Sequence, residues 1–472
     1  MSESRAIARK SIGGMVAAWG VSGLKFATAL ASMPILLRLI GDDAIGGFAY
    51  STLVYEALGM FRSLRGGEYL VRLRDDEVER EWPTVFAVDL ATGALLAALS
   101  FAFAGPILEA AGAPHLAPYL QVLAIQYLLN GIGMPGALVQ RRLDFWRLQL
   151  PQVVGCLLRP GLKIAFAALL GWKIGALVWG DAIGFAVELA ILWVVARVRP
   201  RFGFDRRVVR RLASFAWPLV AAQCLTFVYW RIDDFYVFHL LGQEDLGWYW
   251  LAFRIPEFVF NLKIAVSPVA YAALSRLGDR ERRRAAFEAL TRYTFVATAP
   301  LVLVSTLYGG EWIVLLFGPE FANSAVPFRI LMATACLRMT IGYSADLLQA
   351  AGKTRVLLWI TFSNAVALVI GAFFLTLHYD IPGTAAAVAL TIVSSIPASV
   401  IVARGLVGAR YLPVLGRPVA LLLAVSGAGW AWRDWGPGGF VLPSIVWPLV
   451  YLGLVWRFEP CVARDWRFLK RN

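Results

Sequence analysis

Several ionisable side chains of this sequence lie inside long apolar stretches, where a charge is costly. The stretch YWRIDDFY at 229–236 contains Arg231, Asp233 and Asp234, and the i, i+3 spacing of Arg231 and Asp234 places these two on one face of a helix. Arg254 and Glu257 have the same spacing, which predicts an ion pair. Because a charge in hydrocarbon costs about 2.5–3.5 kcal/mol, such residues typically contact a cargo, an ion or one another.

The sequence contains no arrangement of residues that is typical of an enzyme. Its four cysteines are isolated from one another, and its three histidines form no metal-binding motif. AGKTR at 351–355 resembles the end of a phosphate-binding loop, but Leu347 replaces the first glycine of that motif. We therefore predict a protein that is not an enzyme and that has no cofactor or metal ion.

Apolar stretches long enough to cross a bilayer account for most of the 472 residues. The chain is 59% apolar and only 16% charged, with a mean hydropathy of +0.66, whereas soluble domains carry about 25% charged residues. The composition therefore predicts an all-α polytopic membrane protein with about 14 transmembrane helices. The predicted spans are 11–40, 44–70, 84–106, 117–140, 149–171, 174–196, 212–241, 246–275, 286–308, 323–351, 355–377, 381–403, 414–431 and 440–456.

The positive charges are distributed unequally between alternate loops. About 30 Lys and Arg residues fall on the side of the N-terminus, against about 2 on the other side, Lys173 and Arg433. Since basic loops stay in the cytoplasm during insertion, an even number of spans with both termini cytoplasmic fits this bias. The net charge of +14 is explained by topology and by attraction to anionic lipids, and we predict no nucleic-acid partner.

One short motif occurs twice, as LIGDDAIGGFAY at 39–50 and LLGQEDLGWYW at 240–250, about 201 residues apart. At this offset Glu56 corresponds to Glu257. Such matches predict two like-oriented six-helix lobes, although two unrelated membrane hairpins can also look alike. The predicted domains are an N-terminal lobe at 1–197, a basic cytoplasmic linker at 198–211, a second lobe at 212–404, and two extra transmembrane helices with a cytoplasmic tail at 405–472.

Several segments in this order resemble a known superfamily. ILLRLIGDDAIGGFAY, ALVQRRLDFWRLQ and DDFYVFHLLGQEDLGWYWLAFRIPE are similar to the multidrug/oligosaccharidyl-lipid/polysaccharide (MOP) flippases, most closely to the bacterial repeat-unit flippases of surface polysaccharide synthesis (Wzx type). The resemblance implies export of an undecaprenyl-pyrophosphate-linked oligosaccharide from the cytoplasmic to the periplasmic leaflet of the inner membrane by alternating access. It also leaves open whether a proton or sodium ion is coupled to transport.

This cargo would need cations, hydroxyls and aromatic faces along its path. The candidates for binding the anionic headgroup are Lys25, Arg62, Arg254 and Lys263. The alternative for these four is that they clamp helices together or extend to the membrane interface. The candidates for gating or ion coupling are Glu56, Arg231, Asp233, Asp234 and Glu257. The alternative for the three charges at 231–234 is a self-neutralised cluster that holds helices together.

Two further groups of residues have both a functional and a structural interpretation. Arg141 and Arg142 in QRRLDFWR are candidates for guiding pyrophosphate at a cytoplasmic entrance, or they are topology anchors. The linker RVRPRFGFDRRVVRR at 197–211 is predicted to lie on the inner leaflet as a basic amphipathic segment, with a docking site for a partner as the alternative. A polysaccharide polymerase and chain-length proteins are the candidate protein partners that the resemblance implies.

Two other functional classes stay open at this level. One is a multidrug exporter or peptidoglycan-precursor flippase of the same superfamily, although a drug-cation exporter would need an acidic cavity. The other is a membrane polysaccharide polymerase or ligase. Such enzymes usually have a large periplasmic loop, whereas the longest outer loop predicted here, 309–323, is short and acidic. The sequence therefore favours transport of an anionic cargo.

Overall fold

The protein is described from a computed structural model that covers residues 2–61, 65–141, 144–277, 279–432 and 439–459. Within these ranges the chain forms α-helices joined by short turns and two 3-10 helices, and contains no strand. This confirms the predicted all-α class. The helices are α1 (Ser2–Ile40), α2 (Asp42–Gly59), α3 (Gly66–Arg72), α4 (Asp75–Ala110), α5 (Ala117–Ile132), α6 (Pro135–Arg141), α7 (Phe145–Leu170), α8 (Ile174–Ala196), α9 (Arg206–Leu240), α10 (Gln243–Arg276), α11 (Arg280–Phe317), α12 (Ala325–Ile341), α13 (Tyr343–Ala350), α14 (Thr354–Val407), α15 (Tyr411–Trp432) and α16 (Val441–Phe458).

Many of these helices satisfy the requirements for a membrane span. Over the described residues, ten helices are long and apolar enough to cross a bilayer, or eleven if the bent pair Pro114–Ile132 and Pro135–Arg141 forms one span. In that count α14 is a single helix, although Tyr379 and Asp380 have non-helical backbone angles that divide it. The polytopic membrane class is thus confirmed, whereas the number fourteen is not.

The chain divides into two compact units, Met1–Gly247 and Trp248–Asn472. The first unit contains α1 to α9 and the first turn of α10, and the second contains the rest of α10 and α11 to α16. The sequence repeat predicts a domain boundary at 198–211, whereas the boundary given by packing lies between Gly247 and Trp248. Two six-helix lobes therefore stay a prediction.

Two intramembrane ion pairs join α7 and α8 in the first unit. Arg159 pairs with Glu188, and Lys163 Nζ lies 2.8 Å from Asp181 Oδ2. A residue with a side chain would not fit opposite these groups, because a Cβ atom at Gly184 would lie 2.5 Å from Arg159 Cγ. Gly180 and Gly155 likewise face Lys163 and Glu188. The small residues let the two helices approach closely enough for the charged pairs to form.

The repeated sequence motif forms a close contact within the first unit. A Cβ atom at Gly46 in α2 would lie 1.7 Å from the carbonyl oxygen of Gln243. A Cβ atom at Gly247 would lie 2.2 Å from the carbonyl oxygen of Asp42. At the 201-residue offset, Gly46 corresponds to Gly247 and Asp42 to Gln243. The two copies of the motif thus touch reciprocally, and only glycine fits at either contact.

Two groups of buried residues form the core of the second unit. One joins α10, α11, α13 and α14 around Phe287, Tyr343 and Leu347. The other joins α11 to the C-terminal helices α15 and α16 around Leu303, Val425 and Tyr451. α15 and α16 therefore attach to the unit mainly through one long helix.

Candidate functional site

A network of charged residues joins α2 and α9 in the first unit. The Arg231 guanidinium donates two hydrogen bonds to Glu56, Nε to Oε2 at 2.8 Å and Nη2 to Oε1 at 3.0 Å. Its Nη1 donates to Asp234 Oδ2 at 3.1 Å, which confirms the i, i+3 pair predicted from the sequence. Asp233 is buried next to Asp234. The structure therefore brings four of the five candidate gating residues together.

This network brings carboxyl groups from two helices to one guanidinium. Glu56 of α2 and Asp234 of α9 both pair with Arg231, and Asp233 is buried next to Asp234 in the chain. Carboxylates crowded in a medium of low dielectric repel one another, so such a cluster favours an additional positive charge or proton. Among the described residues, no group of three or more His, Cys, Asp or Glu side chains is arranged to hold a metal ion.

A polar cavity of about 580 Å³ lies next to this network. Its lining includes Glu56, Tyr55 and Tyr127, whose rings stack with centroids 4.5 Å apart, and Asn130, whose Nδ2 lies 3.5 Å from Tyr55 Oη. Gln223 of α9 lines the same cavity. Aromatic faces beside amide and carboxylate groups are the surfaces that bind sugar rings and their hydroxyls.

A second cavity of about 640 Å³ shares the lining residues Gly67, Glu68 and Asn130 with the polar cavity. Arg65, which lines the first cavity, donates to Glu68 Oε1 at 2.6 Å and to Gln223 Oε1 at 2.9 Å. Both volumes lie in the range that small ligands occupy in proteins, about 300–1,000 Å³. The first unit thus offers room for more than one sugar ring.

The sequence analysis missed most residues that line these cavities. It searched for charges inside spans, whereas Tyr55, Asn130 and Gln223 are neutral, and Arg65 and Glu68 lie near a span end. The available signal was polar and aromatic side chains on one helix face. Tyr127 and Asn130 in α5, three residues apart, give such a pattern.

Lys25 lies outside the polar cavity. It lies in α1 and donates from Nζ to Gln152 Oε1 of α7 at 2.7 Å. Lys25 is exposed and is not among the residues that line the two cavities. Arg62, the other candidate for headgroup binding in this half of the sequence, lies outside the described residues.

The two remaining candidates for headgroup binding, Arg254 and Lys263, lie on α10 in the second unit. Arg254 Nη1 is 3.0 Å from Glu257 Oε2, which confirms the predicted pair, and its guanidinium lies 5.3 Å from the ring centroid of Trp250. Lys263 is buried, and its Nζ lies 3.1 Å from Asp346 Oδ2. In this arrangement Arg254 is accessible, whereas Lys263 is neutralised by a buried partner.

Arg141, a candidate for the cytoplasmic entrance, makes mainly structural contacts. Its guanidinium donates to the carbonyl oxygens of Leu70 and Leu73, at the C-terminal end of α3, and pairs with Asp75. These contacts satisfy carbonyl groups that a helix end leaves without intrahelical partners. Arg142 lies outside the described residues.

Comparison with known proteins gives consistent results. The model of a family described as polysaccharide biosynthesis protein matches residues 35–326. The succinoglycan biosynthesis transport protein ExoT of Rhizobium meliloti is 27% identical over 354 residues, which cover 74% of this chain and 70% of ExoT. The teichuronic acid biosynthesis protein TuaB of Bacillus subtilis is 24% identical over 285 residues, 59% of each chain.

Solved structures with a similar fold include two transporters. The lipid II flippase MurJ in an inward closed conformation matches with a TM-score of 0.72 and 12% identity, over 93% of this chain and 98% of MurJ. An inward-facing multidrug resistance MATE family transporter of the MOP superfamily matches with a TM-score of 0.66 and 13% identity, over 81% of this chain and 95% of that chain. These likenesses establish the fold.

Proposed function

The chain belongs to the polysaccharide biosynthesis protein family, and on this premise we propose that it moves an undecaprenyl-pyrophosphate-linked oligosaccharide from the cytoplasmic to the periplasmic leaflet of the inner membrane. More broadly, it is a polysaccharide-related flippase of the MOP superfamily and not an enzyme.

The observation that carries the proposal is the polar cavity beside Arg231 and Glu56. The ring of Tyr55, which stacks on the buried ring of Tyr127, offers an apolar face, and Asn130 and Gln223 offer amide groups that both donate and accept hydrogen bonds. A saccharide has the complementary surface, because its ring presents C–H faces between hydroxyl groups. A drug-like apolar cation has no hydroxyl groups to offer to these amides.

In the proposed cycle, the basic candidates hold the pyrophosphate while the sugars occupy the polar cavity. Lys25, Arg62 and Arg254 supply positive charge, and Lys263 joins them when its pair with Asp346 opens. Arg141 and Arg142 lie at the proposed cytoplasmic entrance. The lipid tail stays in the bilayer throughout, so only the headgroup has to leave water.

The network of Arg231 is the proposed gate. An anionic headgroup competes with Glu56 for the Arg231 guanidinium, and the carboxylates released from Arg231 then favour a proton or cation. Asp233, Asp234 and Glu257 are the other proposed members of this coupling system. Exchange of partners at Arg231 thus links occupancy of the cavity to separation of α2 from α9.

The experiment measures flipping of a fluorescent undecaprenyl-pyrophosphate-linked oligosaccharide in proteoliposomes that contain the full-length protein. Tyr55→Ala removes one face of the ring stack, and Asn130→Ala removes an amide from the cavity. We expect each substitution to lower the flipping rate about tenfold, which corresponds to roughly 1.4 kcal/mol of lost binding.

Asn364→Ala serves as the matched control, because Asn364 lies in the second unit and accepts a hydrogen bond from Ser395 there. All variants are compared at equal reconstituted amounts and with equal melting temperatures. Flipping at the wild-type rate in both cavity variants would refute the proposed site. Absence of flipping by the wild-type protein, with transport of an organic cation instead, would refute the proposed cargo.

A further inference from the structure

The basic segment between α8 and α9 is extended chain that packs against α4. Residues 197–205, here called the strap, are non-helical. The Gly203 N–H donates to the carbonyl oxygen of Pro83 in α4 at 3.3 Å, and the rings of Phe202 and Phe86 lie 5.4 Å apart. Val198 packs against the core of the first unit. These contacts hold the arginines of the strap in place.

Three arginines of the strap line a cavity of about 650 Å³, here called the arginine cavity. Arg197, Arg199 and Arg201 lie on one side, and Glu79 and the neutral pair of Arg141 with Asp75 lie on the other. The positive charges therefore exceed the negative ones by two. Such a cavity favours an anion.

A buried donor lines the same cavity. Trp82 of α4 is only 5% exposed, and among the described residues its indole Nε1–H has no hydrogen-bond acceptor. A buried N–H without a partner is unfavourable, so an acceptor from outside the chain would stabilise it. An oxygen of a bound anion is such an acceptor.

The apolar side chains next to the arginines indicate where this anion comes from. Phe202 is 67% exposed and Phe204 is 79% exposed, although both are apolar. Arginines beside exposed aromatic residues are typical of segments at a membrane surface, where the rings enter the acyl region and the cations meet the headgroups. A soluble anion would leave the two rings in water.

We propose that the arginine cavity binds the phosphodiester headgroup of an anionic membrane lipid, with Arg197, Arg199 and Arg201 as its ligands and Trp82 as an additional donor. The lipid is a structural ligand that does not cross the membrane. The cavity is lined by none of the residues of the polar cavity. This proposal therefore stands whether or not the transported cargo is the one proposed above.

The test uses the purified full-length protein in neutral detergent and native mass spectrometry with added phosphatidylglycerol. The variant R197Q/R199Q/R201Q removes the three cationic ligands, and we expect at least tenfold weaker binding of phosphatidylglycerol. The control R206Q/R207Q/R210Q removes the same number of charges from the start of α9, whose residues do not line the cavity. We expect this control to bind as the wild type does.

A milder variant guards against loss of folding. Trp82→Phe keeps the buried ring and removes only the N–H, so we expect binding to weaken about threefold while the melting temperature is nearly unchanged. Equal losses in the two triple variants would overturn the proposal, because they would indicate attraction by net charge alone.

Two competition experiments distinguish the source of the phosphate and the class of ligand. Inorganic phosphate at millimolar concentration is expected to displace little phosphatidylglycerol, because it lacks the acyl chains that contact Phe202 and Phe204. Complete displacement would overturn the lipid assignment in favour of a soluble phosphate. Displacement by a hexaglutamate peptide, together with no selectivity for phosphatidylglycerol over phosphatidylcholine, would overturn it in favour of an acidic protein segment.

Discussion

At the scale of single residues, the local pairs were predictable and the distant partners were not. Arg231–Asp234 and Arg254–Glu257 follow from helix geometry alone, since residues three apart share a face. The contact of Arg231 with Glu56 joins residues 175 positions apart, and no helical periodicity reports it. Lys263 illustrates the same limit, because its buried partner Asp346 lies 83 positions away. Charge inside a span thus identified important residues without identifying their roles.

We expect Arg231→Ala to abolish flipping, because it leaves Glu56 and Asp234 without their shared guanidinium. Arg231→Lys keeps the charge but loses the bidentate hydrogen bonding with Glu56, so the flipping rate should fall about tenfold. The measurement is flipping in proteoliposomes. The control is Arg284→Lys in α11. Arg284 pairs with Glu288 one helical turn away, and neither residue lines the two cavities. Wild-type flipping by Arg231→Ala would contradict the gating role.

At the scale of helices, the sequence indicated that the elements exist but not how closely they approach. Apolar runs located α7 and α8 within a few residues, at predicted spans 149–171 and 174–196. The charges at Arg159 and Glu188 were visible in these runs, but their pairing depends on two glycines that face them, Gly184 and Gly155. The strap adds a feature that the pattern did not report, because tertiary contacts to α4 hold this basic segment as extended chain.

We expect Glu188→Gln to destabilise the protein by about 1–3 kcal/mol, because it leaves the Arg159 guanidinium in the membrane without its counter-charge. The effect is smaller than for a fully buried pair, since Arg159 is 31% exposed. The melting temperature in detergent measures it. Glu288→Gln removes one partner of the pair with Arg284, whose side chain is 48% exposed, and should shift the melting temperature less. Equal shifts for the two variants would show that the pair with Arg159 does not stabilise the helices.

We expect Gly46→Ala to slow flipping severely, because the new methyl group would meet the backbone oxygen of Gln243 at 1.7 Å and no side-chain rotation relieves that clash. The two copies of the repeated motif, at the starts of α2 and α10, could then not come into contact. Gly23→Ala is the control, since a Cβ atom there meets nothing within 4 Å. The two variants are compared at equal amounts of folded, reconstituted protein. If Gly46→Ala flipped the cargo at the same rate as Gly23→Ala, the contact between the two copies of the motif would not be needed for flipping.

At the scale of the whole molecule, composition sufficed for the class and the resemblance sufficed for the family, but the number of spans needs a direct measurement. The number of spans depends on α14, a helix of 54 residues that is interrupted at Tyr379 and Asp380. Asp380 has a φ of +53°, a conformation that a regular helix does not contain. If the chain turns at this point, α14 crosses the membrane twice.

We expect a cysteine placed at Asp380 to react with a membrane-impermeant maleimide added outside spheroplasts, as a cysteine at Lys173 should. Both belong to the side predicted to carry few basic residues. A cysteine at Arg199, in the basic strap, should react only in inverted vesicles. The native cysteines are first replaced by serine. Labelling of positions 173 and 380 from opposite sides would contradict an even number of spans between them and, with it, the two-lobe prediction.

The paired charges of α7 and α8 also constrain how the chain enters the bilayer during biosynthesis. Two cations, Arg159 and Lys163, emerge from the ribosome in α7 before either of their partners in α8. Releasing α7 alone into lipid would cost about 5–7 kcal/mol for the two charges. Only Gly171, Trp172 and Lys173 separate the two helices. The translocon is therefore expected to retain α7 until α8 has been synthesised and to release both as one neutralised hairpin.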